Sequence, residues 1–230
     1  MPRSALADTA LQKLLLTRGL VRGATARIPP PRIPTGLETL DTLLGGGLPR
    51  GTLTEIVGRP SSGRTTLACT LLRAVTAARA LAACIDLPDA FDPTHAAGAG
   101  VDLARLLWIR PHTPRDALQA AEHVLDAEGF DLVLVDLDDG RPQRPMPAST
   151  WMRLARAAAR TRTAMVLLGR EDVAGTFAAL RLELERHRVA FEEQGPCPLF
   201  TGITCTVHLR KNKLGTPSIP SLSVVVATES

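Results

Sequence analysis

The chain of 230 residues contains no tyrosine, two tryptophans and five phenylalanines. So few rings exclude a single-strand nucleic-acid module that stacks successive bases on aromatic side chains. Four cysteines (Cys69, Cys84, Cys197 and Cys205) form no CxxC pair and are too sparse for a disulfide framework, so they read as reduced, packed thiols rather than a zinc site. None of the five histidines has ligand spacing or a nucleophile beside it. Lysine is scarce: Lys13, Lys211 and Lys213 stand among 27 basic residues, and two of them are neighbours. Apolar runs such as 80–85 and 164–168 fall far short of the roughly 18 residues a membrane span needs. The opening MPRSALADTA has no signal-peptide apolar region. The expectation is a cytoplasmic chain with no membrane partner.

What is present is a hydrophobic fraction of 45%, enough for a full core, and a net charge of +4, which permits contact with nucleic acid. Ser4 to Leu20 reads as a helix with Leu6, Leu11, Leu14 and Leu15 along one side, a stripe suited to its own core or to a partner. Pro29 to Pro31 end it in an extended linker. Two units follow: residues 1–32 as helix and linker, and residues 33–230 as one core domain.

Within that core, LETLDTLLGG predicts a short helix and TLTEIVG a strand. The spacing then predicts helices over 65–79, 115–128 and 149–160, with strands at 81–86, 131–136 and 164–169. Strands alternating with helices indicate an α/β fold with a mainly parallel sheet. The last sixty residues alternate with few helical signals and predict an antiparallel extension at one sheet edge. An arginine stripe, Arg153, Arg156 and Arg160, reads as a solvated helix face or an acidic-partner site before it reads as a phosphate-tracking one.

The chemistry concentrates in GRPSSGRTT, Gly58 to Thr66. A strand, this loop and a helix form the context in which G-x-x-x-x-G-K-[ST] cradles nucleotide phosphates on backbone N–H groups. The candidate nucleotide-binding residues are Gly58, Arg59, Pro60, Ser61, Ser62, Gly63, Arg64, Thr65 and Thr66. Arg64 stands where that pattern has lysine, and a planar guanidinium is bulkier and differently oriented than an ammonium. Asp136, after four apolar residues at a strand end, is placed like the carboxylate that holds Mg²⁺ with the loop hydroxyl, here Thr65.

IPTGLETLDTLLGGGLPRGTLTEIVGRPSSGRTTL, CIDLPDAFDP, GVDLARLL, the Asp136 strand and RKNK together resemble RecA recombinases, in unbroken order from about Ile33 to Val226. The resemblance implies a RecA-like P-loop core, ATP and Mg²⁺ as ligands, and Lys211 and Lys213 as the lysines that reach a neighbour's nucleotide. It also exposes departures. The register puts Pro88 where RecA has its catalytic glutamate, with Asp89 next door, and Arg170 where RecA has a γ-phosphate-sensing glutamine. Of the DNA loops, one shortens to EDVAGTFAA, and the other corresponds to GRPQRPMPAS with Arg141 and Arg144 as DNA contacts. RecA's separate C-terminal domain has no counterpart. No catalytic residue is assigned, and ATP hydrolysis is expected to be negligible.

A RecA relative that keeps the core and loses these parts is similar to the ImuA family of mutagenesis accessory proteins, related also to SulA. That resemblance implies RecA, an ImuB-type polymerase-like protein and an error-prone polymerase as partners, weak or indirect DNA contact, and a nucleoid-associated place in the cytoplasm. Two alternatives stand beside it: a weak DNA-dependent ATPase of the RecA or RadA type, and a SulA-like inhibitor of cell division.

Overall fold

The computed structural model describes residues 29–141, 145–192, 199–215 and 221–227. Leu6, Leu11, Leu14 and Leu15 of the expected N-terminal helix, and Arg144, lie outside the described residues. Two short strands open the described chain, β1 (Arg32–Ile33) and β2 (Leu48–Pro49), with helix α1 (Glu38–Leu44) between them. They pair antiparallel, Arg32 with Pro49 and Ile33 with Leu48, and Ile33 is buried. The end of the proline-rich stretch is therefore pinned to the core.

The remaining elements are β3 (Leu53–Gly58), α2 (Arg64–Ala77), β4 (Leu81–Asp86), α3 (Pro93–Gly98), β5 (Leu106–Ile109), α4 (Pro114–Ala127), β6 (Phe130–Asp136), α5 (Ala148–Thr161), β7 (Ala164–Gly169), β8 (Leu180–Glu192), β9 (Leu199–Asn212) and β10 (Ser221–Ala227). Their eight strands form one sheet in the order β10-β9-β8-β3-β7-β6-β4-β5. From β8 to β5 every neighbour is parallel, while β9 pairs antiparallel with β8 and β10 with β9. This is the expected α/β core with an antiparallel edge.

A parallel strand covered on both faces reads as a continuous apolar run, and β6 shows why. Leu132 and Leu134 join the cluster that includes Leu67, Leu71 and Leu72 of α2. Val133 and Val135 enter the opposite cluster, with Leu118 and Leu125 of α4 and Trp151 and Leu154 of α5. Period-two alternation thus sends each half of the run to a different helical layer. Thr113 caps α4 by accepting the Asp116 N–H, and Pro114 follows at the first helical position.

The arginine stripe on α5 meets α4. Arg153 pairs with Glu122 at 2.8 Å, and Arg160 with Asp126 at 2.6 Å and Glu128 at 3.1 Å. Two of its three arginines are thus occupied in bridging helices. Among the described residues no helix is long and apolar enough to cross a membrane.

Candidate phosphate-binding site

Strands β3, β7, β6 and β4 are neighbours, and their carboxyl ends bring Gly58, Gly169, Asp136 and Asp86 to one side of the sheet. The crevice outside such strand ends is where open α/β sheets take ligands. From Gly58 the chain turns through 59–63 into α2. A Cβ on Gly58 would lie 2.6 Å from Ser62 Oγ and 2.7 Å from the Leu184 carbonyl, so the loop can fold back on β8 only over glycine. Gly63 has φ 93°, a left-handed turn that aims the backbone into α2. No side chain caps that helix, so its first N–H groups keep their capacity for an anion. Ser62 is 2% exposed, and its Oγ has no hydrogen-bond partner among the described residues.

Thr65 and Asp136 line one narrow cleft, together with Cys69, Cys84, Asp86 and Phe91. Asp86 is 2% exposed and fully engaged. It accepts the Ala90 N–H at 3.1 Å, the Phe91 N–H at 2.9 Å and the Trp108 indole N–H at 3.3 Å. Burial pushes the Asp136 carboxyl up to about 6, against the Asp138 N–H that donates to it at 2.9 Å and the nearby Arg64 charge. Cys69 and Cys84 are held as thiols, their pKa raised first by burial. Among the described residues no group of three or more His, Cys, Asp or Glu is arranged to hold a metal by itself. A Mg²⁺ here would complete its shell with water or phosphate oxygens.

Arg64 is 9% exposed and points its guanidinium at Asp138, Nη2 to Oδ2 at 2.5 Å. Arg170 reaches the other oxygen, Nε to Oδ1 at 2.6 Å. Burial raises the Asp138 pKa, but the hydrogen bond and charge of Arg64 and the bond from Arg170 outweigh it and hold the carboxyl below its ordinary range. The other terminal nitrogen of Arg64, Nη1, is buried without a hydrogen-bond partner among the described residues.

Pro88 stands in the turn after β4, and Asp89 beside it has φ 56°. Both Asp89 oxygens accept from Arg110, at 2.5 Å each, and the Arg110 guanidinium stands 5.1 Å over the Trp108 ring. The Arg110 hydrogen bonds hold the Asp89 pKa below its usual range. An ion-paired carboxylate of that kind is a weak proton acceptor.

Lys211 and Lys213 dock on the turn after β7. Lys211 Nζ donates to the Gly175 carbonyl at 2.5 Å, and Lys213 Nζ donates to the Thr176 carbonyl. Burial, with Lys213 and Arg181 nearby, lowers the Lys211 pKa. Arg141 is exposed, with its N–H on Asp139 Oδ1 at 3.0 Å.

Sequence reasoning did not single out Asp86, Asp138 or Glu55. Asp86 carries the same signal as Asp136, an acid closing an apolar strand. Nothing local separates Asp138 from Asp139. Glu55, 1% exposed within β3, accepts the Val173 N–H at 2.8 Å and the Ala174 N–H at 2.7 Å and faces Arg181 at 3.4 Å.

A family model described as the RecA N-terminal domain matches residues 20–139. Among curated proteins, RecA of Picosynechococcus sp. is 40% identical over 114 residues, which is 50% of this chain and 33% of the relative. RecA of Crocosphaera subtropica is 42% identical over the same shares. RecA of Trichodesmium erythraeum is 40% identical over 133 residues, 56% of this chain and 37% of the relative. The chain spans about a third of the length of the curated relatives it matches.

Proposed function

The chain belongs to the RecA N-terminal domain family, and on that premise we propose that it is a nucleotide-binding but catalytically silent RecA-like accessory protein of DNA-damage tolerance. The observation that carries this reading is the engagement of the arginines at the lysine position of the loop and at the γ-phosphate-sensing position: Arg64 and Arg170 both bond to Asp138. Pro88 supplies no base, and Asp89 beside it is bound to Arg110. Each lost positioning or charge-stabilising group costs about 10² to 10⁴ in rate.

Binding is a separate matter, and the residues present fit a nucleotide. The uncapped start of α2, the turn at Gly63 and the orphaned Ser62 hydroxyl suit a phosphate chain. Residues 58–66 would hold it, and Thr65 with Asp136 would hold Mg²⁺, which supplies charge neutralisation when bound. Lys211 and Lys213 belong to this reading as residues that would approach a neighbouring subunit's nucleotide after leaving the 175–176 carbonyls.

The resemblance to the ImuA family supplies the setting: work beside RecA, an ImuB-type protein and an error-prone polymerase at the nucleoid, with DNA contact weak, through Arg141 and Arg144, or indirect. A steady-state ATPase assay with single-stranded DNA tests the silent site. Hydrolysis is expected at least about a thousandfold below that of RecA, as loss of more than one such group implies. Turnover at a RecA-like rate that disappears in Asp136→Ala would establish the DNA-dependent ATPase instead.

A further inference from the structure

We propose that Asp138 is a built-in substitute for a terminal phosphate: it occupies Arg64 of the phosphate loop and Arg170 just after β7, so that the site takes a nucleoside diphosphate in preference to a triphosphate. The inference rests on the reading of the loop as a nucleotide site and names which nucleotide it holds.

In loops of this pattern the residue at the Arg64 position meets the β- and γ-phosphates. Here that cation already has an anion. The Asp138 carboxylate lies between Arg64 at 2.5 Å and Arg170 at 2.6 Å, one oxygen to each guanidinium. Hydrogen bonds between two ionised groups are roughly twice as strong as neutral ones. With side-chain exposures of 10% and 11%, Arg64 and Asp138 are shielded from water, whereas Arg170 closes the pair from the solvent side at 47%.

Beside the pair, two buried groups have no hydrogen-bond partner among the described residues, Arg64 Nη1 and Ser62 Oγ. Buried polar atoms in native proteins nearly always have partners, and these two lie at the loop where phosphate oxygens would arrive. The shorter phosphate chain of a diphosphate can supply oxygens to both without breaking the Arg64–Asp138 bond. A third phosphoryl group brings further negative charge toward Asp138, with Asp136 and Asp86 close by and both arginines already neutralised. A triphosphate therefore enters by displacing Asp138 from Arg64. Asp138 is a specificity-determining residue, and the ion pair is what an incoming γ-phosphate must break.

The test is equilibrium titration of the full chain, with Mg²⁺, against fluorescent N-methylanthraniloyl ADP and the matching β,γ-imido triphosphate. The wild-type protein is expected to bind the diphosphate at least about tenfold more tightly. Asp138→Asn, which keeps one acceptor oxygen and removes the charge, should raise triphosphate affinity and bring the two within about threefold. Asp139→Asn, a neighbouring carboxylate outside the pair, should leave the wild-type preference intact. Equal binding of the two nucleotides by the wild type, or the same change in Asp139→Asn, overturns the inference while nucleotide binding stands. Failure of wild type and variants to bind either probe overturns the inference and the nucleotide reading together. If Asp138→Asn does not fold, Asp138→Ser takes its place, and the wild-type preference decides by itself.

Discussion

Asp136 closes β6 in a place where water is scarce, and its proton is held to about 6 instead of 3.8 because burial disfavours the charged form. The stability consequence has a definite sign. Below the unfolded value the carboxyl is protonated in both states and the folded chain bears no penalty. As pH rises toward 6 the unfolded chain gives up its proton first, so stability falls, and above 6 the cost is constant. Asp136→Asn removes the charge while keeping an acceptor for the Asp138 N–H. In Mg²⁺-free buffer it should stabilise the protein by about 2 kcal/mol at pH 7.5 and by nothing measurable near pH 4. Urea unfolding across that range reads the difference, and a pH-independent offset would mean that packing, not ionisation, separates the two proteins.

Elements in this fold are tied together by a few buried polar groups, and Glu55 is the chief of them. From β3 it holds the amides of Val173 and Ala174, which follow β7, and faces Arg181 of β8, which also pairs with Asp172. The turn so anchored is the one whose carbonyls receive Lys211 from β9 and Lys213 just after it. Glu55→Ala would strand two donors and leave Arg181 beside an apolar gap. It should cost about 3 kcal/mol in urea unfolding and speed amide exchange at Val173 and Ala174. Glu55→Gln keeps an oxygen for the amides and should lose less than half as much. Equal losses in the two variants would assign the whole effect to the charge and not to the amide bonds.

At the scale of the whole molecule the proposal is an association with RecA, and its candidate contact is the leucine-sided segment before the core. The resemblance to RecA implies docking through an N-terminal helix, and this chain carries a leucine stripe at Leu6, Leu11, Leu14 and Leu15 before a core of the same family. A doubly substituted protein, Leu11→Glu with Leu14→Glu, should fold as the parent does and bind purified RecA at least about tenfold more weakly, because two carboxylates would be desolvated at the contact. Undiminished binding by this variant would remove the segment from the contact.

The alternation of elements was legible in the sequence because it rests on local periodicity. Strands 81–86 and 164–169 have the expected bounds, and the antiparallel edge lies where helical signals stop. The strand–loop–helix turn at 58–66 was legible too, since Gly63 answers to a left-handed turn entering the helix, although the approach of Gly58 to the Leu184 carbonyl was not. The β1–β2 pairing was not. Three prolines signal only an extended chain, and whether its end finds a partner depends on a segment some sixteen residues away. The same limit governs the site's chemistry. A cation at position 64 is a property of the sequence, but its partner Asp138 lies 74 residues off and Arg170 a further 32. They meet because β7 inserts between β3 and β6, and the order of strands in a sheet is decided by which faces can be buried together. The sequence by itself determined that a G-x-x-x-x-G loop carries an arginine at position 64, in a chain that resembles RecA. Only the tertiary structure decided that this arginine is already paired.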